Sequence, residues 1–413
     1  MGLAFLPARL EFFGVLKDEY TPKPVTVQRP AIVTRIPPGR FNPGSATPDI
    51  RKPDRFGRAS RRHDTLPAVN IIYTDQHKLH NTDQVEYEGH PFVTDEVPAR
   101  AEIILNAVRA AQLGPVSAPA DHGLSPILAV HDAGFVEFLS TIYAESGAFF
   151  KQAAPIFPET FAPRPIRHRS KSVDGRAGLY AYGTGSPILA GTWAAAYWSA
   201  QCALTAADLV MAGRTSAYAL CRPPGHHAAA DLYGGFCYLN NAAIAARHLQ
   251  AAAPADTKVA ILDIDYHHGN GTQEIFYADP SVLYCSLHAH PDDDYPYFWG
   301  SADERGDGPG AGFNRNWPLP QSTDDAHYLA ALDEALAVIQ EFGPRYLVVS
   351  AGFDIAAGDP AGGFNVTVEG MRAVGEHIAA LARHGTPAVL VQEGGYLLEK
   401  LGENAVAFLQ AFG

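Results

Sequence analysis

Two pairs of adjacent histidines carry the chemistry this chain could do. His226 and His227 close the segment Cys221-Arg222-Pro223-Pro224-Gly225-His226-His227. His267 and His268 lie within Asp263-Ile264-Asp265-Tyr266-His267-His268-Gly269-Asn270-Gly271. Each segment follows an apolar run that reads as a buried strand, Ser216 to Cys221 before the first and Val259 to Leu262 before the second. One histidine alone is more often a packed structural residue than a ligand. Two pairs with two aspartates at strand ends are hard to explain by packing. Asp265 and His267 stand two apart, so on an extended backbone both side chains point the same way. One short segment can thereby offer two metal ligands.

Asp354 supplies a third candidate ligand, and three protein ligands with open positions for water and substrate is a catalytic pattern rather than a structural one. Two carboxylates make the site harder than one built from three histidines; Zn2+ is the first expectation, and Fe2+, Mn2+ and Co2+ stay open. His226 and His227 could serve the water, with Asp263 as the partner of one of them. Tyr396 follows the flexible Gly394-Gly395 pair and could donate its hydroxyl to a carbonyl oxygen opposite the metal. These parts amount to metal-assisted hydrolysis of an amide.

The elements that must position these groups alternate. Strands are expected at about 69–73, 216–221, 258–263, 282–287, 345–350 and 387–392. Helices are expected at about 98–113, 131–143, 192–213, 240–253, 324–342, 367–384 and 398–411. Continuous apolar strands alternating with helices predict an α/β fold, a central parallel sheet covered by helices on both faces. Pro223 to His227, Asp263 to Asn270, Ser286 to His290, Ala351 to Asp354 and Glu393 to Tyr396 each come just after or at the end of a strand. In a parallel sheet those C-terminal ends share one edge, where ligands bind. Residues 145–190 read as irregular, rich in Pro, Gly and aromatics, a length of loop that is usually functional.

Composition bounds the rest. Hydrophobic residues make up 47% of the 413 and charged residues 18%, enough apolar material for a large core and too little charge for global disorder. Residues 1–70 hold 12 Lys and Arg against 6 Asp and Glu, so within the net charge of -13 the remainder carries -19. An acidic body argues against a nucleic-acid partner and favours a cationic one. The four cysteines have no CxxC spacing, which suits a reducing, cytoplasmic setting. No apolar run has the length of about 18 residues that a membrane-spanning helix needs. Met1 to Leu6 is apolar but short, so no signal peptide is expected. Residues 1–68 carry ten of the 32 prolines and a basic run, Arg51 to Arg62, and are expected to form a poorly ordered extension to a catalytic domain at 69–413.

The motifs resemble the arginase/deacetylase superfamily, and within it the histone deacetylase family with its bacterial acetylpolyamine amidohydrolases. The matching pieces are Arg222 to His227, Gly234 to Asn241, Asp263 to Gly271, Ser286 to His288, Ala351 to Asp354 and Glu393 to Tyr396. The resemblance implies Asp265, His267 and Asp354 as zinc ligands, His226 and His227 as the tandem catalytic histidines with His227 the general base, and Tyr396 as the group that polarises the acetyl carbonyl. It implies Phe236, Phe298, Tyr233 and Gly235 at the substrate channel, and a structural K+ held by Asp263, Asp265, His267 and Ser286. Asn270 departs from the pattern, standing where many members carry an Asp.

For the substrate, the stretches Asp75 to His80, Gly178 to Tyr180, Ala228 to Gly235 and Tyr295 to Gly312 resemble the acetylpolyamine amidohydrolases. In that group an insertion before the tandem histidines builds a homodimer contact and narrows the channel. The implied substrate is a small cationic acetylated amine, drawn in by acids among Glu86, Glu88, Glu159 and Asp292 to Asp294. Against this, Ala361 stands where class II histone deacetylases with polyamine activity carry a Glu. The alternatives are a lysine deacetylase acting on peptides or proteins and, in another class, a module that binds acetylated amines without turnover.

Overall fold

The computed structural model describes residues 68–413, Gln84 excepted. The expected extension at 1–68 lies outside the described residues, save for Ala68. Ten strands are described: β1 (Asn70–Ile72), β2 (Glu86–Tyr87), β3 (His90–Pro91), β4 (Val116–Ser117), β5 (Ser216–Ala219), β6 (Val259–Asp263), β7 (Val282–Ala289), β8 (Asn314–Leu319), β9 (Tyr346–Ala351) and β10 (Ala388–Gln392). β2 and β3 form a small antiparallel pair, and the other eight make one sheet in the order β4-β1-β5-β10-β9-β6-β7-β8. Every pairing in that sheet is parallel.

Alternation along each strand divides the core. Ala260 and Leu262 of β6, with Leu347 and Val349 of β9, face the helices at Ala99–Ala110, Asp325–Phe342, Val368–Arg383 and Leu398–Leu409. Val259 and Ile261, with Val348, face the helices at Thr192–Met211 and Asn241–Ala251. These strand residues have no exposed surface. Each such Val, Leu or Ile contributes about 1.5–3 kcal/mol by burial, which is why the central strands are apolar on both faces. Side chains place the helix starts: Thr367 accepts from the Gly370 N–H, and Asn240 accepts from the Ala243 N–H. Among the described residues no helix is long and apolar enough to cross a membrane.

The elements differ from expectation mainly where the period is short. β4 has two residues and β8, the last strand of the sheet, contains Pro318. Proline is tolerated only at such an edge, and it hides the strand from a pattern reading. The segment 145–190 is less irregular than expected. The helix Ala133–Phe150 runs into it, a further helix forms at Val173–Tyr180, and Ile156 bridges Ile188.

Candidate active site

Register brings the strand ends to one level. Asp263 pairs with Ser286 on one side and Ser350 on the other, and Gln392 pairs with Ala351. The chain leaving β6, β9 and β10 therefore meets at one edge of the sheet, as the alternation predicts.

Asp265, His267 and Asp354 converge there, with ligand atoms all within 4.8 Å of one another. The Nδ1 of His267 stands 3.3 Å from Asp265 Oδ1 and 3.2 Å from Asp354 Oδ2. Backbone N–H groups hold the carboxylates: Gly394 donates to Asp265 Oδ2 at 2.8 Å, and Tyr266 donates to Asp354 Oδ1 at 3.0 Å. Two glycines make room for the cluster. A Cβ on Gly352 would sit 2.1 Å from Asp265 Oδ2, and one on Gly394 would sit 2.2 Å from Asp354 Oδ2. Burial, and then the charge of Asp265, push Asp354 well above the usual carboxylate range. A buried pair of carboxylates with one imidazole, walled by glycine, suits a divalent cation, which would relieve that repulsion.

The histidine pair is anchored from below. Glu393 accepts from the Gly225 N–H at 2.6 Å and the His226 N–H at 3.2 Å. His226 Nδ1 donates to Asp263 Oδ2 at 3.1 Å, and the Tyr284 hydroxyl donates to the same oxygen at 2.9 Å. Burial lowers the pKa of His226, but the carboxylates of Asp265 and Asp263 outweigh it and raise the ring to about 10. His227 is the opposite case. Burial, and then the charges of His226 and His267, hold it well below its usual value. Its Nδ1 lies 2.7 Å from Asn270 Oδ1. An amide oxygen only accepts, so the proton sits on Nδ1 and Nε2 keeps a lone pair.

Tyr396 is held by groups remote in sequence. Gly395, at φ +116°, turns the chain into it. Asp359 accepts from the N–H groups of Tyr396 and Leu397 at 2.7 and 2.9 Å. The Arg100 guanidinium lies 4.4 Å from the Tyr396 ring centroid and donates to the carbonyls of Gly395 and Glu393. Burial holds the Tyr396 phenol well above 10, so it stays a proton donor.

His227, His267 and Tyr396 open onto one cavity of about 640 Å³, lined also by Gly235, Phe236, Tyr266, Tyr295, Asp95 and Asp294. Two expected channel residues are elsewhere. Phe298 is 80% exposed and does not line the cavity. Its place at the wall is taken by Tyr295, whose ring centroid is 4.9 Å from that of His227. Tyr233 is fully buried, stacked on Tyr238 at 5.6 Å and outside the lining. Ser286 faces the same strand end, and its hydroxyl bonds His288 Nδ1 at 2.8 Å. Of the acids expected at the mouth, Asp294 lines the cavity. Glu86, Glu88 and Glu159 line a different depression, beside Phe150 and Phe157.

Sequence reasoning passed over Arg100, Glu96 and Asp95. Arg100 had a signal: it shares the buried face of its helix with Ile104 and Val108, where a cation has no reason to be unless it is paired. Glu96 pairs with it at 3.0 Å and with Arg222 at 2.9 Å.

A family model described as "Histone deacetylase domain" matches residues 94–412. The chain belongs to the histone deacetylase family, and it is a deacetylase, a hydrolase whose domain implies a catalytic metal. It is 43% identical over 345 residues to acetylpolyamine amidohydrolase 1 of Pseudomonas aeruginosa, covering 83% of this chain and 98% of the relative. It is 40% identical over 347 residues to the acetylpolyamine amidohydrolase of Mycoplana ramosa, covering 83% and 99%. The crystal structure of an acetylpolyamine aminohydrolase from Burkholderia pseudomallei superposes with a TM-score of 0.78 at 42% identity, covering 84% and 99%.

Proposed function

We propose that this deacetylase acts on small acetylated polyamines, within a catalytic domain spanning 69–413. The observation that supports this most is the cavity. His267 of the candidate ligand cluster, His227 and Tyr396 line it, and so do Asp95 and Asp294. Near full-length relatives that carry the acetylpolyamine name support the same substrate class.

In this reading Asp265, His267 and Asp354 hold the metal, with Zn2+ preferred over Fe2+, Mn2+ or Co2+. When bound, the ion lowers the pKa of water and polarises the acetyl carbonyl. His227 takes the proton at Nε2, with Asn270 fixing the tautomer, and later returns it to the leaving amine. His226, held by Asp263 at 3.1 Å, packs against His227 and completes the histidine pair beside the metal ligands. The Tyr396 hydroxyl donates to the carbonyl oxygen as it gains charge. Phe236 and Tyr295 exclude water from the acetyl end, and Asp95 and Asp294 attract the ammonium end of the substrate.

The reading extends to a structural K+ at Asp263, Asp265, His267 and Ser286, to a homodimer and to a cytoplasmic location. The adjacency of Asp263 and Ser286 supports the first. A second reading, hydrolysis of acetyl-lysine in peptides, is favoured by Ala361, which lines the cavity with Gly362 and Gly363 and offers no charge there. The test is acetate release from acetylputrescine by native, chelated and Zn2+-restored protein. Activity lost and then restored is expected, and full activity of the metal-free protein would refute the site.

A further inference from the structure

A second cluster of metal-ligating side chains lies outside this machinery. His122, Asp208 and His248 bring ligand atoms within 4.8 Å of one another. His122 sits in the loop after β4. Asp208 is in the last turn of the helix Thr192–Met211, and His248 is in the last turn of Asn241–Ala251. Those helix ends lead toward β5 and β6, so they lie toward the sheet edge opposite the candidate active site. Helix C-termini favour a cation.

The hydrogen bonds of the cluster set two imidazoles against one carboxylate. The His122 N–H donates to Gln201 Oε1 at 2.7 Å, which fixes that atom as an acceptor. His122 Nδ1 lies 3.1 Å from the same oxygen. Nε2 faces Asp208 Oδ2 at 2.8 Å. His248 Nε2 faces the other carboxylate oxygen at 2.8 Å. The Gln201 oxygen on Nδ1 is the outer hydrogen bond that a metal-ligating imidazole characteristically has.

The scaffold is preorganised. Gln201, Thr205 and Asp208 are spaced along one face of their helix. Thr205 accepts from the Ala120 N–H at 2.9 Å, and Gln201 reaches Gly123 O at 3.4 Å, so the His122 loop is pinned on both sides. Ligands about 2.1 Å from a tetrahedral ion lie roughly 3.4 Å apart. The contacts at 2.8 Å need only a small opening, and the Asp208 side chain, 46% exposed, is free to make it. Solvent at that side can complete the coordination.

We infer that His122, Asp208 and His248 form a second, peripheral site for a borderline-soft dication, of which Zn2+ is the reference case. Two imidazoles and one carboxylate favour Zn2+, Co2+, Ni2+ or Cu2+ over Mg2+ or Ca2+. Binding ties the loop to two helices.

The test counts metal on the full chain. Chelated protein is dialysed against buffered Zn2+, and bound zinc is measured by mass spectrometry beside the thermal midpoint. Wild type is expected to hold one zinc more per chain than His122→Asn, with the affinity of that extra ion weakened at least about tenfold by losing its ligand. Zn2+ should raise the wild-type midpoint further than that of the variant. His248→Gln provides the same comparison should His122→Asn not fold. Equal zinc content and an equal thermal response in wild type and a folded variant would overturn the site.

Discussion

Gly394 is the position where one methyl group should disable the chemistry while leaving the fold. It is not in the left-handed region, so alanine brings no backbone strain there. The added Cβ, however, would lie 2.2 Å from Asp354 Oδ2 and 2.6 Å from Asp265 Oδ2. Ordinary contact begins at 3.4 Å, so the Asp354 carboxylate must retreat by about 1.2 Å. It has little freedom to do so, because Asp354 is fully buried and bonded to the Tyr266 N–H. Misplacing a catalytic group by about 1 Å lowers rates by about a hundredfold, equivalent to about 2.7 kcal/mol. Gly394→Ala is therefore expected to lose about that factor in kcat/KM for acetylputrescine under excess Zn2+. Its circular dichroism should match wild type, and its zinc affinity should fall. A variant with full zinc content and kcat/KM within threefold of wild type, on the order of 0.7 kcal/mol, would show that these carboxylates do not hold the working metal.

Three further outcomes are expected. Tyr396→Phe should lower kcat by about 10²–10³ with an unchanged thermal midpoint, because only a donor to the developing oxyanion is removed; retained activity would exclude that role. Glu96→Gln leaves Arg100 and Arg222 buried without their shared carboxylate, and should destabilise by about 3–5 kcal/mol in urea unfolding; an unchanged urea midpoint would refute the pairing. His131 is buried, its Nε2 accepts the Asn240 N–H at 2.9 Å, and burial pushes its pKa down to about 4. The unfolded chain then takes the proton first, so this contribution is full above about pH 6.5 and is lost as pH falls toward 4, about 3 kcal/mol in all. Urea midpoints at pH 7.5 and 5 should converge more closely in His131→Asn than in wild type; an identical pH dependence would refute the assignment.

The sheet was legible because β5, β6, β7, β9 and β10 are buried on both faces and so are written as mainly apolar runs. The chemistry was legible for a related reason: a polar residue just after such a run has few structural uses. The edges were not legible, since two residues of β4 carry no period and Pro318 masks β8. The cavity wall was half legible. In Tyr295-Pro296-Tyr297-Phe298 no period says which aromatic turns inward, and Tyr295 rather than Phe298 does. Tyr233 was misplaced because closeness in sequence to Gly235 and Phe236 does not reveal that its ring points into a separate cluster with Phe138 and Tyr238. Arg100 contacts carbonyls 293 and 295 residues away, a pairing no local pattern contains.

The measurement that bears most directly on the function is a comparison of kcat/KM on the zinc-loaded protein for acetylputrescine, acetylcadaverine and acetylspermine against an acetyl-lysine peptide. A preference of about tenfold or more for the small amines, about 1.4 kcal/mol in the transition state, is the predicted result. An equal or greater kcat/KM for the peptide would contradict the polyamine reading and make the uncharged wall at Ala361 the better guide to the substrate.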